Sequence, residues 1–323
     1  MKRIFLVIVC AGCALVFLAA CATAGSGRAA RKDGGGMAAR TGTLPGGASV
    51  YVVSEIPKIR PLLDPLLSHF RMDNKTSRMV LDKTKVVSVA LFSADAAEPF
   101  VAELHGRSYP AFWADVSFAF NKHWSRKKTG TARYWHSPRF GIALAISARK
   151  IRAAKNNPYF SQSTAVIPAA FTVWSGDAIA GGWLPGAALL NRYLKQQGIA
   201  VNFPARHIYF ALDGVGGETD GSDGSVGGGG GAGGEARRYR LRFNIEAESA
   251  ARALSIQSLL NITKAALEEG GFNRRRLPEI VKMILRAETA VDGRHVLLVT
   301  ETIEEAALLE MIKGAGPFSG LGF

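Results

Sequence analysis

Arg238, Arg240 and Arg242 alternate with Tyr239, Leu241, Phe243 and Ile245 in a clear period-two run. That period puts the apolar set on one side of a strand and the three guanidiniums on the other. Guanidinium forks match phosphate and carboxylate geometry. The row is therefore a candidate contact for an anionic head group, an anionic glycan or an acidic envelope protein. The same pattern also describes a solvated sheet face answered by carboxylates on neighbouring strands.

A second constellation lies at 109–128. Tyr109, Phe112, Trp113, Val116, Phe120 and Trp124 recur at three-and-four spacing, giving one aromatic helix face. Lys122, His123, Arg126, Lys127 and Lys128 follow, where cations suit a helix C-terminus. Aromatics beside cations suit a membrane interface or a ligand, with Trp113, Phe118, Trp124, Lys127 and Lys128 as contacts. A stripe of this kind equally covers a sheet as core. Phe118 lies off the stripe, so its exposure would discriminate between the two.

No reaction chemistry is spelled out. His69, His105, His123, His136, His207 and His295 are scattered without ligand or triad spacing. Glu218, Asp220 and Asp223 lack the regular spacing of a calcium loop. The expectation is a non-catalytic protein with no metal and no cofactor. A hydrolase built from histidine and carboxylates ranks last, and would need three titratable groups converging in one cleft.

The N-terminus fixes a compartment. Lys2 and Arg3 precede an almost uninterrupted apolar run, Ile4 to Leu18, closed by Leu18-Ala19-Ala20-Cys21. This is secretory-signal layout, and the segment is short for a mature spanning helix. Leu18-Ala19-Ala20-Cys21 resembles the lipobox of bacterial lipoprotein precursors, with Cys21 as the modified position. The resemblance implies cleavage before Cys21 and a membrane anchor of diacylglyceryl thioether and amide-linked acyl chain, at about 0.8 kcal/mol per buried methylene. Ala22, in place of Asp, resembles the pattern sent to the outer membrane rather than the inner. Cys10 and Cys13 leave with the leader and Cys21 is consumed by lipid, so no thiol remains for a disulfide, a metal or a nucleophile.

The rest divides by composition. Residues 21–48 are rich in Gly, Ala, Ser and Thr and basic through Arg28, Arg31, Lys32 and Arg40. They read as a lipidated tether with a reach on the order of 30 Å. The precursor carries a formal +14, and removal of Lys2 and Arg3 leaves +12 (14 − 2), so the body and tether are basic. A lipid-anchored domain outside the cytoplasm directs that charge to lipid, glycan or acidic protein, not nucleic acid. Residues 165–190 are the most apolar stretch after the leader, with Asp177 their only charge. Their prolines and glycines favour a buried strand and loop over a spanning helix.

The elements that would position these groups recur in order. Residues 49–54, 85–92 and 100–104 read as strands, 110–124 as a helix, and 132–136 and 140–147 as closing strands. A leucine-rich helix follows the first strand, starting cleanly only at Asp64-Pro65 because Pro57 and Pro61 interrupt it. In the second half, 170–174, 207–212 and 239–245 read as strands, 186–197 and 249–270 as helices. A hairpin turning at Asp292-Gly293 joins 284–291 to 295–300, and a last helix starts at Thr302 with Glu305 in capping-box spacing. Pairing Val52 with Thr172 and Val86 with Ile208 gives an offset near 120 residues. This predicts an α+β protein of two related strand-helix-strand-strand-helix-strand-strand units, 49–160 and 165–314, each resembling a ferredoxin-like layout with antiparallel or mixed sheets. Residues 214–234 would be a mobile Gly-rich loop, and 315–323 a flexible tail. Beside the binding or scaffold role stands an alternative, a carrier of a lipid or small apolar ligand in a pocket between the units.

Overall fold

A computed structural model describes residues 44–69, 75–92, 100–139, 141–155, 157–159, 163–176, 178–188, 191–192, 195, 202–215, 237–268 and 279–314. Cys21, the leader and tether up to residue 43, the loop at 216–234 and the tail lie outside the described residues.

The architecture is mixed α+β, dominated by one 13-stranded sheet. In chain order its strands are β1 (Val50–Glu55), β2 (Thr84–Leu91), β3 (Phe100–Gly106), β4 (Ser125–Thr129), β5 (Ala132–Ser137), β6 (Ile142–Ile146) and β7 (Lys150–Lys155). The remainder are β8 (Ala180–Leu184), β9 (Ala205–Val215), β10 (Arg238–Ala247), β11 (Glu288–Asp292), β12 (His295–Val299) and β13 (Ile303–Glu304). Across the sheet they run β11-β12-β10-β9-β8-β1-β2-β3-β7-β6-β5-β4, with β13 beside the end of β10. Every pairing between these strands is antiparallel. A ferredoxin-like unit is a split βαβ and needs a parallel strand pair. That part of the expectation therefore finds no counterpart in the pairings.

Among the described residues, seven helices accompany the sheet: α1 (Ile56–His69), α2 (Lys75–Lys83), α3 (Ala111–Ala119), α4 (Ala169–Ser175), α5 (Ala250–Glu268), α6 (Glu279–Arg286) and α7 (Glu305–Gly314). Ala188, Asn191, Arg192 and Lys195 are also helical, inside the stretch expected at 186–197. α1 runs through Pro61 and Pro65 instead of starting there, because Ile56, Ile59, Leu62, Leu63, Leu66 and Leu67 form one buried face. Six such side chains, at about 1.5–3 kcal/mol each, outweigh a proline defect of about 3 kcal/mol. Asp64 is not an N-cap, because it lies inside α1, where its Oδ1 accepts from Arg60 Nε at 2.7 Å.

The run 170–174 is helical, not a strand. Pro168 stands immediately before α4 in extended backbone, and Gly176 ends it at φ +45°. The strand that belongs there is β8, ten residues later. β8 carries Gly181 and Gly182 because a Cβ at Gly182 would stand 2.0 Å from the Tyr51 carbonyl oxygen and 2.3 Å from Phe210 Cζ. Thr172 lies in α4, so it is not the repeat equivalent of the strand residue Val52. The expected 284–291 strand divides into the end of α6 and β11, and Thr302 precedes the short β13 rather than capping a helix.

The sheet has two unlike faces. One carries the main core, with Val50, Val52, Val87, Leu104, Ile208, Phe243 and Ile245 under α1, α3, α5 and α7. The other carries a smaller cluster of Tyr51, Val53, Val86, Val101, Trp183 and Tyr209, covered by Phe171 of α4 and by Leu44. Among the described residues, no helix is long and apolar enough to cross a membrane.

Candidate functional site

The polar side chains collect on this second face, beside the aromatic cluster. Tyr51 stacks on Trp183 with ring centroids 4.6 Å apart, and Phe171 closes over both Trp183 and Tyr209. Period two along β9 and β10 brings His207, Tyr209 and Asp213 to the face that carries Arg238, Arg240, Arg242, Asn244 and Glu246.

Glu246 is the focus of that flank. It is buried, and its Oε2 accepts from the Tyr209 hydroxyl at 2.6 Å and meets His207 Nδ1 at 3.1 Å. Its Oε1 meets an Arg294 nitrogen at 2.9 Å. Burial alone would raise its pKa, but the hydrogen bonds from Tyr209 and His207 and the charge of Arg294 together hold it below the usual carboxylate range. Burial, reinforced by the hydrogen bond to Glu246 and its charge, pushes the Tyr209 phenol far up. His295 Nδ1 pairs with Asn244 Oδ1 at 3.0 Å; burial lowers its pKa against the pull of Glu246.

A second charged cluster lies on the same face across the sheet. Glu103 on β3, also buried, is met by His105 at 3.1 Å, Lys150 at 3.3 Å and Arg152 at 3.4 Å. Arg152 in turn lies over the Tyr159 ring at 5.4 Å.

The arginine row divides. Arg242 forms a bidentate pair with Asp213 and lies 5.1 Å over the Trp174 ring, so it is spent inside the protein. Arg238 is exposed and Arg240 half-buried, with Arg238 opposite Glu304 of β13. Of the row, Arg242 is thus answered by a carboxylate on the neighbouring strand.

The aromatic helix also divides. Tyr109 is buried and shares a 2.8 Å hydrogen bond with Thr84 Oγ1. Phe118 and Trp124 are buried against each other at 4.5 Å and Phe118 packs on Trp135 at 5.8 Å, so both belong to the core and not to a membrane contact. The Trp113 side chain lies outside the described residues. Lys127 and Lys128 are exposed on β4, and Phe120 is 89% exposed.

Three titratable groups therefore do converge at Glu246, a grouping that scattered sequence positions concealed. Tyr209 is the hydroxyl in contact, and its phenolate is strongly disfavoured. Among the described residues no three His, Cys, Asp or Glu side chains are arranged to hold a metal ion. The Gly-rich loop with Glu218, Asp220 and Asp223 lies outside the described residues.

No family model matches the chain, and no curated protein matches it in sequence. Solved structures are similar in fold. Crystal form III of TP0453 superposes with a TM-score of 0.50 at 13% identity, over 85% of this chain and 97% of that one. Crystal form IV of TP0453 gives 0.50 at 14% identity, over 84% and 95%. At these identities the likeness is one of fold.

Proposed function

We propose that this chain is a lipid-anchored cell-envelope protein, held to a membrane through Cys21, with a non-catalytic binding or scaffold role. The lipobox Leu18-Ala19-Ala20-Cys21 behind an apolar leader carries the reading. Ala22 favours the outer over the inner membrane of a two-membrane envelope. The buried carboxylates of Glu103 and Glu246 are each held by cationic neighbours on adjoining strands or turns, an arrangement that suits a structural role.

The body reads as two related units joined at β1 and β8. β1-β2-β3-β7-β6 and β8-β9-β10-β12-β11 follow the same order outward from the seam. The third strand of each half carries one buried glutamate, Glu103 or Glu246, and both face the same way. A carrier pocket between the units is disfavoured, because the seam is a β-ladder filled by the Tyr51–Trp183 stack.

The test is the intact mass of the full chain expressed in a bacterium and extracted from its membranes. The expected species starts at Cys21 and bears diacylglycerol and an acyl chain, and Cys21→Ser abolishes both the mass increment and membrane retention. A chain that keeps residues 1–20, or starts at an unmodified Cys21, overturns the reading. Native mass spectrometry of the same material expects no co-purifying small apolar ligand, and finding one would favour the carrier.

A further inference from the structure

The two ends of the sheet differ in charge. Between Asp115 and Asp177 the chain holds ten lysines and arginines and no carboxylate, and this stretch supplies β4, β5, β6 and β7 at one end. Residues 279–313 supply α6, β11, β12, β13 and most of α7 at the other end. There seven carboxylates meet four lysines and arginines, a formal −3 (4 − 7). Glu103 engages Lys150 and Arg152. Lys122, Arg126, Lys127, Lys128 and Arg133 remain exposed on the outermost hairpin and the turn before it. Phe120, 89% exposed, is the residue that closes α3 into that turn. Asp115, the carboxylate nearest in sequence, accepts from Trp135 Nε1 at 2.5 Å.

Lysines on an open edge strand deter strand addition. That role needs a charge or two on β4. It accounts neither for four adjacent strands without a carboxylate nor for an aromatic ring held out in water among cations.

We propose that the β4–β5 hairpin and Phe120 form a docking surface for an anionic lipid bilayer, turning the basic end of the sheet to the membrane and the acidic end away. The proposal rests on the anchoring reading above and adds an orientation to it. Lysine and arginine gain about fivefold in affinity per charge near an anionic surface, and an aromatic ring suits the head-group level. Residues 22–43 can span at most about 75 Å, so the anchor alone leaves the body free to present any face. The hairpin selects one.

The experiment uses the lipidated full-length protein in nanodiscs of phosphatidylcholine alone or with phosphatidylglycerol. Cys10 and Cys13 leave with the leader and Cys21 is acylated, so Thr131→Cys at the hairpin turn gives a single thiol for an environment-sensitive fluorophore. Ser258→Cys on α5 is the control. The expected result is a label at 131 that becomes dry only in anionic discs, with the label at 258 wet in both. Raised salt on the otherwise unaltered protein, or Lys127→Glu with Lys128→Glu, reverses the effect by at least about tenfold in the lipid charge required. Phe120→Ser reduces the dryness without removing the lipid dependence.

A label at 131 equally wet in both compositions overturns the proposal. So does protection at 131 that appears only when two chains share a disc, which would mark a surface for a second copy. Loss of the anchoring reading is distinguishable, because Cys21 would then lack acyl mass and the protein would not enter discs at all.

Discussion

Replacing Glu246 tests whether the polar cluster beside the aromatic centre is a structural device. Its carboxylate is buried and accepts from Tyr209, His207 and Arg294. Arg294 is half exposed, with its side chain at 50%, so its pairing contributes little after solvent screening. The buried Tyr209 hydroxyl, left without an acceptor, costs about 1–3 kcal/mol, and the loss of charge-assisted bonds adds about 1.5–3 kcal/mol. Glu246→Ala should therefore lose about 3–5 kcal/mol, a Tm fall on the order of 10 °C for a body of this size. Glu246→Gln keeps an acceptor for Tyr209 and should lose about half as much.

The pH dependence has a definite sign. The folded pKa of Glu246 lies below its ordinary 4.5. Its contribution is then fully present above that value and is lost as pH falls through the lower folded one. Urea unfolding of wild type and Glu246→Gln should differ by a constant amount from pH 7 to about pH 5, then converge under acid. A loss below about 1 kcal/mol for Glu246→Ala would refute the reasoning, since a carboxylate that cheap to delete must already be hydrated.

Two further perturbations probe the seam and the first half. Gly182→Ala should destabilise by about 3 kcal/mol or more, because the new Cβ meets a backbone oxygen of β1 that cannot swing aside; an unchanged Tm would refute so close an approach of β8 to β1. Tyr109 is pushed up to about 12 by burial, against the lowering effect of its bond to Thr84, so the stability it confers is full below pH 10 and is lost as pH rises through about 12. Absorbance titration should show Tyr109→Phe removing one late-titrating phenol, and loss of an early one instead would contradict its burial.

Much of the fold was legible because most strands here are rich in valine, isoleucine and aromatics. The runs at 49–54, 85–92, 100–104, 207–212 and 239–245 all end within three residues of the bounds of β1, β2, β3, β9 and β10. What escaped was decided by tertiary context. β8 reads Ala-Gly-Gly-Trp-Leu, poor in strand formers, because two backbones and Phe210 crowd it. β4 reads Ser-Arg-Lys-Lys-Thr because an edge strand needs no apolar face. Phe171, Thr172, Val173 and Trp174 look like strand, yet three of the four helical positions from Phe171 to Trp174 are wholly or half exposed, and the cluster below takes the ring of Phe171 with Trp174 packed at its edge. The arginine row was legible as a period and not as a function, since Asp213 and Glu304 sit far from it in sequence. The Glu246 cluster had no local signal, its members being 39, 37 and 48 residues from the carboxylate (246 − 207, 246 − 209, 294 − 246).

The buried charges bear on how so wide a sheet keeps one register. A slip of one residue exchanges the faces of a strand, and apolar residues on both faces of β1 and β2 would resist that only weakly. A buried carboxylate resists it strongly, because the slip would carry the charge into the main core without partners. Glu103 ties β3 to β7, and Glu246 ties β10 to β9 and to the turn before β12. Between them, Gly182 admits only one close approach of β8 to β1, with Tyr51 and Trp183 stacked beside it. Three local constraints, one per flank and one at the seam, thus favour single registers of β3 with β7, β10 with β9 and β1 with β8. The pairs β4–β5 and β5–β6 lie beyond the last of these. That end is held by Phe118, Trp124 and Trp135 on one face, and its cations are free to face outward.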